Sequence, residues 1–127
     1  MTTTPRPAIN WFEIPVSDIA RAQTFYEAVL GQPLRREPMG PQTLAVLPYT
    51  EPAVGGALIA GANIPAPSAS ATLVYLNVNP NLQAALDRAL TAGAQLLMPR
   101  LDLPDGMGSF VQMLDVDGNR IGLHAEH

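Results

Sequence analysis

The chain has no cysteine among its 127 residues. That excludes disulfides, thiolate metal sites and a cysteine nucleophile. Charge is scarce as well. Charged residues make up 14% of the sequence, the net charge is -4, and the seven basic residues do not cluster. A nucleic-acid footprint needs a basic stripe, so no nucleic-acid partner is expected. No apolar run approaches the ~18 residues that a membrane-spanning helix requires, so no membrane partner is expected either. Met1 to Pro7 carries none of the apolar stretch of a secretory signal, and the expected location is the cytoplasm. There is one tryptophan, and there are two histidines. What is plentiful is apolar side chain, at 47% of residues. That suits one globular domain with one core and argues against disorder. It also leaves apolar surface that a second subunit would cover, so a homodimer is expected.

The stretch Ile9 to Val16 organises the chain. Phe12, Ile14 and Val16 alternate with Trp11, Glu13 and Pro15, the period-2 pattern of a strand with two different faces. Ser17 is placed to cap the helix that follows. Ile19, Ala22, Tyr26 and Val29 recur at helical spacing, widened by Phe25, and Gly31 with Pro33 closes the helix. Extended segments follow over about 32–37, 43–47 and 56–60.

The same arrangement then comes again. Ile14 and Leu76, Val16 and Val78, Gly31 and Gly93, Leu34 and Leu96 are each 62 positions apart. A constant offset across strand, helix and glycine stop points to duplication within one domain. The second strand is expected over 72–78, with Asn79 as cap and Pro80 as the first helical residue. Leu82, Ala85, Leu86, Ala89 and Leu90 form its helical stripe, and Gly93 ends it. A strand over 94–98, a long loop over 99–108, and strands over 109–114 and 120–125 complete the chain. Asp115-Val-Asp-Gly-Asn119 joins the last two as a hairpin turn. It lacks the spacing and the distal glutamate of a calcium loop. The reading is α+β: two βαβββ modules, 9–61 and 72–127, joined by a proline-containing linker over 62–71, with helices on the outer face of the sheets.

Three stretches carry a resemblance to a known family. They are Trp-Phe-Glu-Ile-Pro-Val-Ser-Asp-Ile with Ala-Gln-Thr-Phe-Tyr-Glu-Ala-Val-Leu-Gly (11–19, 22–31), Ala-Leu-Asp-Arg-Ala-Leu-Thr-Ala-Gly-Ala (85–94), and Asp-Val-Asp-Gly-Asn-Arg-Ile (115–121). The chain resembles the vicinal oxygen chelate superfamily, which includes glyoxalase I, bleomycin-resistance proteins, extradiol dioxygenases and many glyoxalase-like proteins. The resemblance implies sheets that form a cupped cavity and chains that pair as dimers. Metal-dependent members take a ligand from the first and the last strand of each module. The matching positions here are Trp11, Leu73 and Gly122, with the fourth somewhere in Gly55-Gly56-Ala57. None offers a metal-binding side chain, so no metal and no other cofactor is expected.

Alternation assigns Trp11, Glu13, Leu73, Tyr75, Asn77 and His124 to the cavity face, with Arg120, Gly122 and either Gln112 or Met113. These residues make an aromatic-walled pocket for a small, partly apolar organic molecule. Glu13 beside Trp11 is the candidate general base, and His124 a candidate proton shuttle. The plainer alternative is that Glu13 forms a salt bridge or hydrogen bond and that His124 is structural. Three uses fit the pocket: binding without a metal, lyase or isomerase chemistry of the lactoylglutathione-lyase kind with Glu13 as base, and sequestration of a drug. A regulatory role without any ligand is a fourth.

Overall fold

The computed structural model describes residues 7–127. Its order is β1 (Trp11–Pro15), α1 (Ile19–Leu30), β2 (Arg35–Met39), β3 (Gln42–Val46), β4 (Gly55–Gly61), β5 (Val74–Asn77), α2 (Leu82–Thr91), β6 (Gln95–Asp102), β7 (Ser109–Leu114) and β8 (Arg120–Ala125). The two βαβββ modules expected from the 62-residue offset are present. They build two four-stranded sheets, β1-β4-β3-β2 and β5-β8-β7-β6. In each sheet the first strand pairs in parallel with the last, and the remaining pairs are antiparallel.

Register settles which residues correspond between modules. Glu13 faces Ala57 across β1 and β4, and Tyr75 faces Gly122 across β5 and β8. Glu13 and Tyr75 are related by the repeat, so Ala57 is the first-module counterpart of Gly122.

Several boundaries differ from the sequence expectations, each for an identifiable reason. Asp18, not Ser17, caps α1 by accepting the Arg21 N–H. The Ser17 hydroxyl is committed instead to Asp117. Asn81, not Asn79, caps α2, and Pro80 lies in the turn ahead of the helix. The Asn79 side chain accepts the Glu126 N–H. The second helix is capped at Ala92, one residue before Gly93. β6 runs on to Asp102 through Pro99, where a long loop was expected. It is an edge strand with register shifts around Met98, so the N–H missing from Pro99 breaks no necessary ladder bond.

Most apolar residues meet in one core, and Leu44, Val46, Ala57 and Ile59 form a second, small buried cluster on the other face of the first sheet, packed against Ile64. Ile14 and Val16 from β1 and Ala22, Phe25, Tyr26 and Val29 from α1 pack together with Leu76, Val78, Leu82, Leu86, Val111, Met113 and Leu123 of the second module. Residues of both modules share this core, so neither buries its apolar stripe alone. The helices lie against each other, and Arg88 of α2 donates to the carbonyls of Ala28 and Val29 at the C-terminal end of α1. A cation there also complements the helix dipole.

The Asp115–Asn119 turn joins the modules. Asp115 Oδ1 accepts the N–H groups of Asp117 and Asn119. Its Oδ2 accepts the buried Tyr26 hydroxyl at 2.6 Å and the Asn119 amide. Asn119 also donates to Pro15 O at 2.7 Å and accepts the Ser68 N–H from the linker. Ser17 and Arg21 add bonds to Asp117 and to the Val116 carbonyl. Burial, reinforced by the Asp115 carboxylate, pushes the Tyr26 hydroxyl well above its ordinary pKa. Asp115 is saturated by donors from the protein itself, in keeping with a hairpin turn rather than a calcium loop.

Candidate functional site

Each sheet has a second face, turned away from the helices. On the first sheet it is formed by Trp11 and Glu13 with Ala57, Ile59, Leu44 and Val46, the register partners along β4 and β3. Trp11 is 39% exposed. Its indole N–H donates to Glu13 Oε2 at 3.3 Å, and its ring meets the edge of Tyr49 at 5.9 Å. Tyr49 lies over Gly55, where an added Cβ would come within 2.5 Å of the ring. Trp11, Tyr49, Glu51 and Gly55 line a hollow of about 230 Å³.

On the second sheet the corresponding face carries Tyr75, Asn77, Gln112, Arg120, Gly122 and His124. The structure decides between Gln112 and Met113. Gln112 pairs with Gly122 on this face, and Met113 is fully buried on the other. Tyr75 is 43% exposed, and its ring stands over Gly122 and against the edge of Phe110 at 5.4 Å. Its hydroxyl accepts Gln112 Nε2 at 2.6 Å, and Gln112 Oε1 in turn accepts Arg120 Nε at 2.9 Å. Asn77 faces His124 across the strands. His124 Nε2 lies 2.7 Å from the Met107 carbonyl, so this nitrogen carries the ring hydrogen. Leu73 is half-buried just ahead of β5.

The structure therefore brings the candidates together in two groups. Trp11 and Glu13 touch each other on one sheet. Tyr75 and Gln112 are bonded on the other, with Asn77 and His124 beside them. A hollow of about 300 Å³ between the modules takes Tyr75 and Asn77 together with Phe12, Leu47, Pro48 and Val74. The sequence reading missed Tyr49 and Phe110. Phe110 was open to detection, because it lies two positions from Gln112 on the same strand. Tyr49 sits in the β3–β4 connection, where alternation carries no information.

A sequence profile of the Glyoxalase/Bleomycin resistance protein/Dioxygenase superfamily matches residues 8–123. The chain belongs to this superfamily. No curated protein is similar enough in sequence to match it. Solved structures match in fold. A glyoxalase/bleomycin resistance protein from Albidiferax ferrireducens T118 superposes with a TM-score of 0.72 at 17% identity, covering 94% of this chain and 98% of that one. One from Streptomyces sp. CB03234 gives 0.67 at 23% identity, covering 90% and 96%. Glyoxalase I from Zea mays gives 0.67 at 21% identity. There the match covers 99% of this chain but 48% of the maize chain, which is about twice as long.

Some superfamily members hold a divalent metal between the two modules' end strands. The residues here do not fit one. The four positions carry Trp11, Ala57, Leu73 and Gly122, with no nitrogen or oxygen donor of the kind a metal needs. At Gly122 the space is also taken. A Cβ built there would lie 2.2 Å from Tyr75 Cδ1.

Proposed function

We propose that this protein binds a small, partly apolar organic molecule on the sheet faces turned away from the helices. It does so without a divalent metal at the superfamily's positions, and it works as a homodimer in the cytoplasm. One observation carries this reading. The Tyr75 ring stands in the space that a ligating side chain at position 122 would need, and a hydrogen-bonded row of polar groups lies beside it. Aromatic rings with a few fixed polar groups suit a small organic ligand. A lyase or isomerase using Glu13 as general base is the second reading. It is favoured by an exposed Glu13 carboxylate that forms no ion pair among the described residues and accepts the Trp11 indole N–H.

The deciding experiment is a thermal-shift screen of small organic molecules, with Trp11 emission as second readout. Ligands that raise the melting temperature are expected to stabilise by mass action and to shift or quench the single tryptophan. Emission left unmoved by every stabilising ligand contradicts a site that includes the first-module face. Turnover of a stabilising ligand, abolished by Glu13→Gln, would select the second reading. The purified protein is also expected to contain no stoichiometric metal. About one Zn, Ni, Fe or Mn per chain, removed by a chelator with loss of thermal stability, contradicts the metal-free reading.

The dimer is supported by the exposed Trp11, Tyr75, Leu96, Leu97 and Leu101. Light scattering is expected to give twice 13.5 kDa, and the mass of a single chain contradicts it.

A further inference from the structure

The donors and acceptors around Tyr75 can be counted. Arg120 Nε has only hydrogen to offer, so the Gln112 atom it meets is the amide oxygen. Gln112 therefore presents its NH2 group to Tyr75, and the tyrosine oxygen accepts. The Tyr75 hydrogen is then left to donate away from Gln112. Asn77 follows the same logic. Its Oδ1 accepts the Asn79 N–H at 2.9 Å, which leaves the Nδ2 hydrogens free for another partner. Tyr75 and Asn77 lie two apart on β5 and share a face. Arg120 forms no ion pair among the described residues, so its charge at the end of the row is uncompensated.

We infer that the Tyr75 hydroxyl, oriented by Gln112 and Arg120, anchors the carboxylate of a small organic acid on the face of the second sheet turned away from the helices. This rests on the small-molecule reading above and adds the ligand's charge and class. The site offers the outward Tyr75 hydrogen and, behind it, the uncompensated positive charge of Arg120. That matches a monoanionic oxygen acceptor, and it is sparse for a phosphate. The Phe110 ring, edge-on to Tyr75 at 5.4 Å on the same face, gives an apolar body about one ring in size a surface to pack against. Gln112 and Arg120 are positioning residues in this scheme. They fix which way the Tyr75 hydrogen points and need not touch the ligand.

The test is an amide NMR titration of the full chain with two matched probes, benzoate and benzamide. Benzoate is expected to move the signals of Tyr75, Asn77 and Gly122 saturably, and benzamide to bind about tenfold more weakly or worse. Tyr75→Phe keeps the ring over Gly122 and removes only the donor. Gln112→Glu keeps the shape but turns the bond round, because a carboxylate at 112 accepts the Tyr75 hydrogen and pairs with Arg120. Both variants are expected to lose about tenfold in benzoate affinity with benzamide binding unchanged, which a merely structural role would not produce.

Equal affinity for the two probes overturns the carboxylate anchor and leaves the small-molecule reading standing. So do benzoate shifts confined to Trp11 and Tyr49, or a Gln112→Glu variant that binds benzoate as before. Absence of any benzoate shift up to about 10 mM, weaker than the usual range of specific small ligands, also overturns it. The thermal-shift screen decides separately whether the broader reading falls too.

Discussion

Asn119→Ala is expected to lower the unfolding free energy by about 2–4 kcal/mol, because the change removes three hydrogen bonds and leaves Pro15 O and the Ser68 N–H, both half-buried, without this partner. Asn119 is 5% exposed. Its amide holds Pro15 O at the end of β1 and the Asp115 carboxylate, and its oxygen holds the Ser68 N–H of the linker. Alanine replaces none of these bonds, and each buried group left unpaired costs roughly 1–3 kcal/mol. Because the bond to Pro15 O runs between the modules and the one to Ser68 holds the linker, the loss should appear as a lower midpoint in a single cooperative urea transition. A loss below about 1 kcal/mol would mean that water replaces the side chain, and that the turn is not what holds the modules together.

The two faces of β1 should respond differently to substitution. Ile14 is 3% exposed in the shared core, and Ile14→Ala is expected to cost about 2–5 kcal/mol. Its neighbour Glu13 is exposed, with one hydrogen bond from Trp11. Glu13→Gln keeps an acceptor for the indole and should change stability by no more than about 0.5 kcal/mol. Urea titration of both variants checks the pair. A loss of several kcal/mol for Glu13→Gln would reveal a buried ion partner, as across a dimer seam, and would take Glu13 out of the ligand site.

Periodicity made much of this fold legible. The alternation of Phe12, Ile14 and Val16, the helical stripes and the constant 62-residue offset report burial, and the structure buries most of those residues, but Leu90 of the second stripe and Leu96 of the offset stay exposed at 41% and 39%. The helix caps were less legible. Ser17 and Asp18, or Asn79 and Asn81, are equally good caps in isolation. The choice falls to tertiary partners, Asp117 in one case and the Glu126 amide in the other. Pro99 looked like a loop residue because a sequence does not say which strand will be an edge. For the site, alternation placed the side chains on the right faces, and register was needed to choose Gln112 over Met113 and to find Ala57. Alternation could not show that Trp11 and Glu13 lie on one sheet while Tyr75, Asn77, Gln112 and His124 lie on another. That depends on how the modules pack through their helices.

The Tyr75 ring over Gly122 constrains how such a chain can change over generations. A glutamate at position 122 alone drives its Cβ into the ring at 2.2 Å. A smaller residue at position 75 alone uncovers the glycine and abandons the hydroxyl bonded to Gln112. Each single step is a loss, and only the two together place a carboxylate at position 122 without the clash. The two positions are therefore coupled. A double-mutant cycle on them should be strongly non-additive.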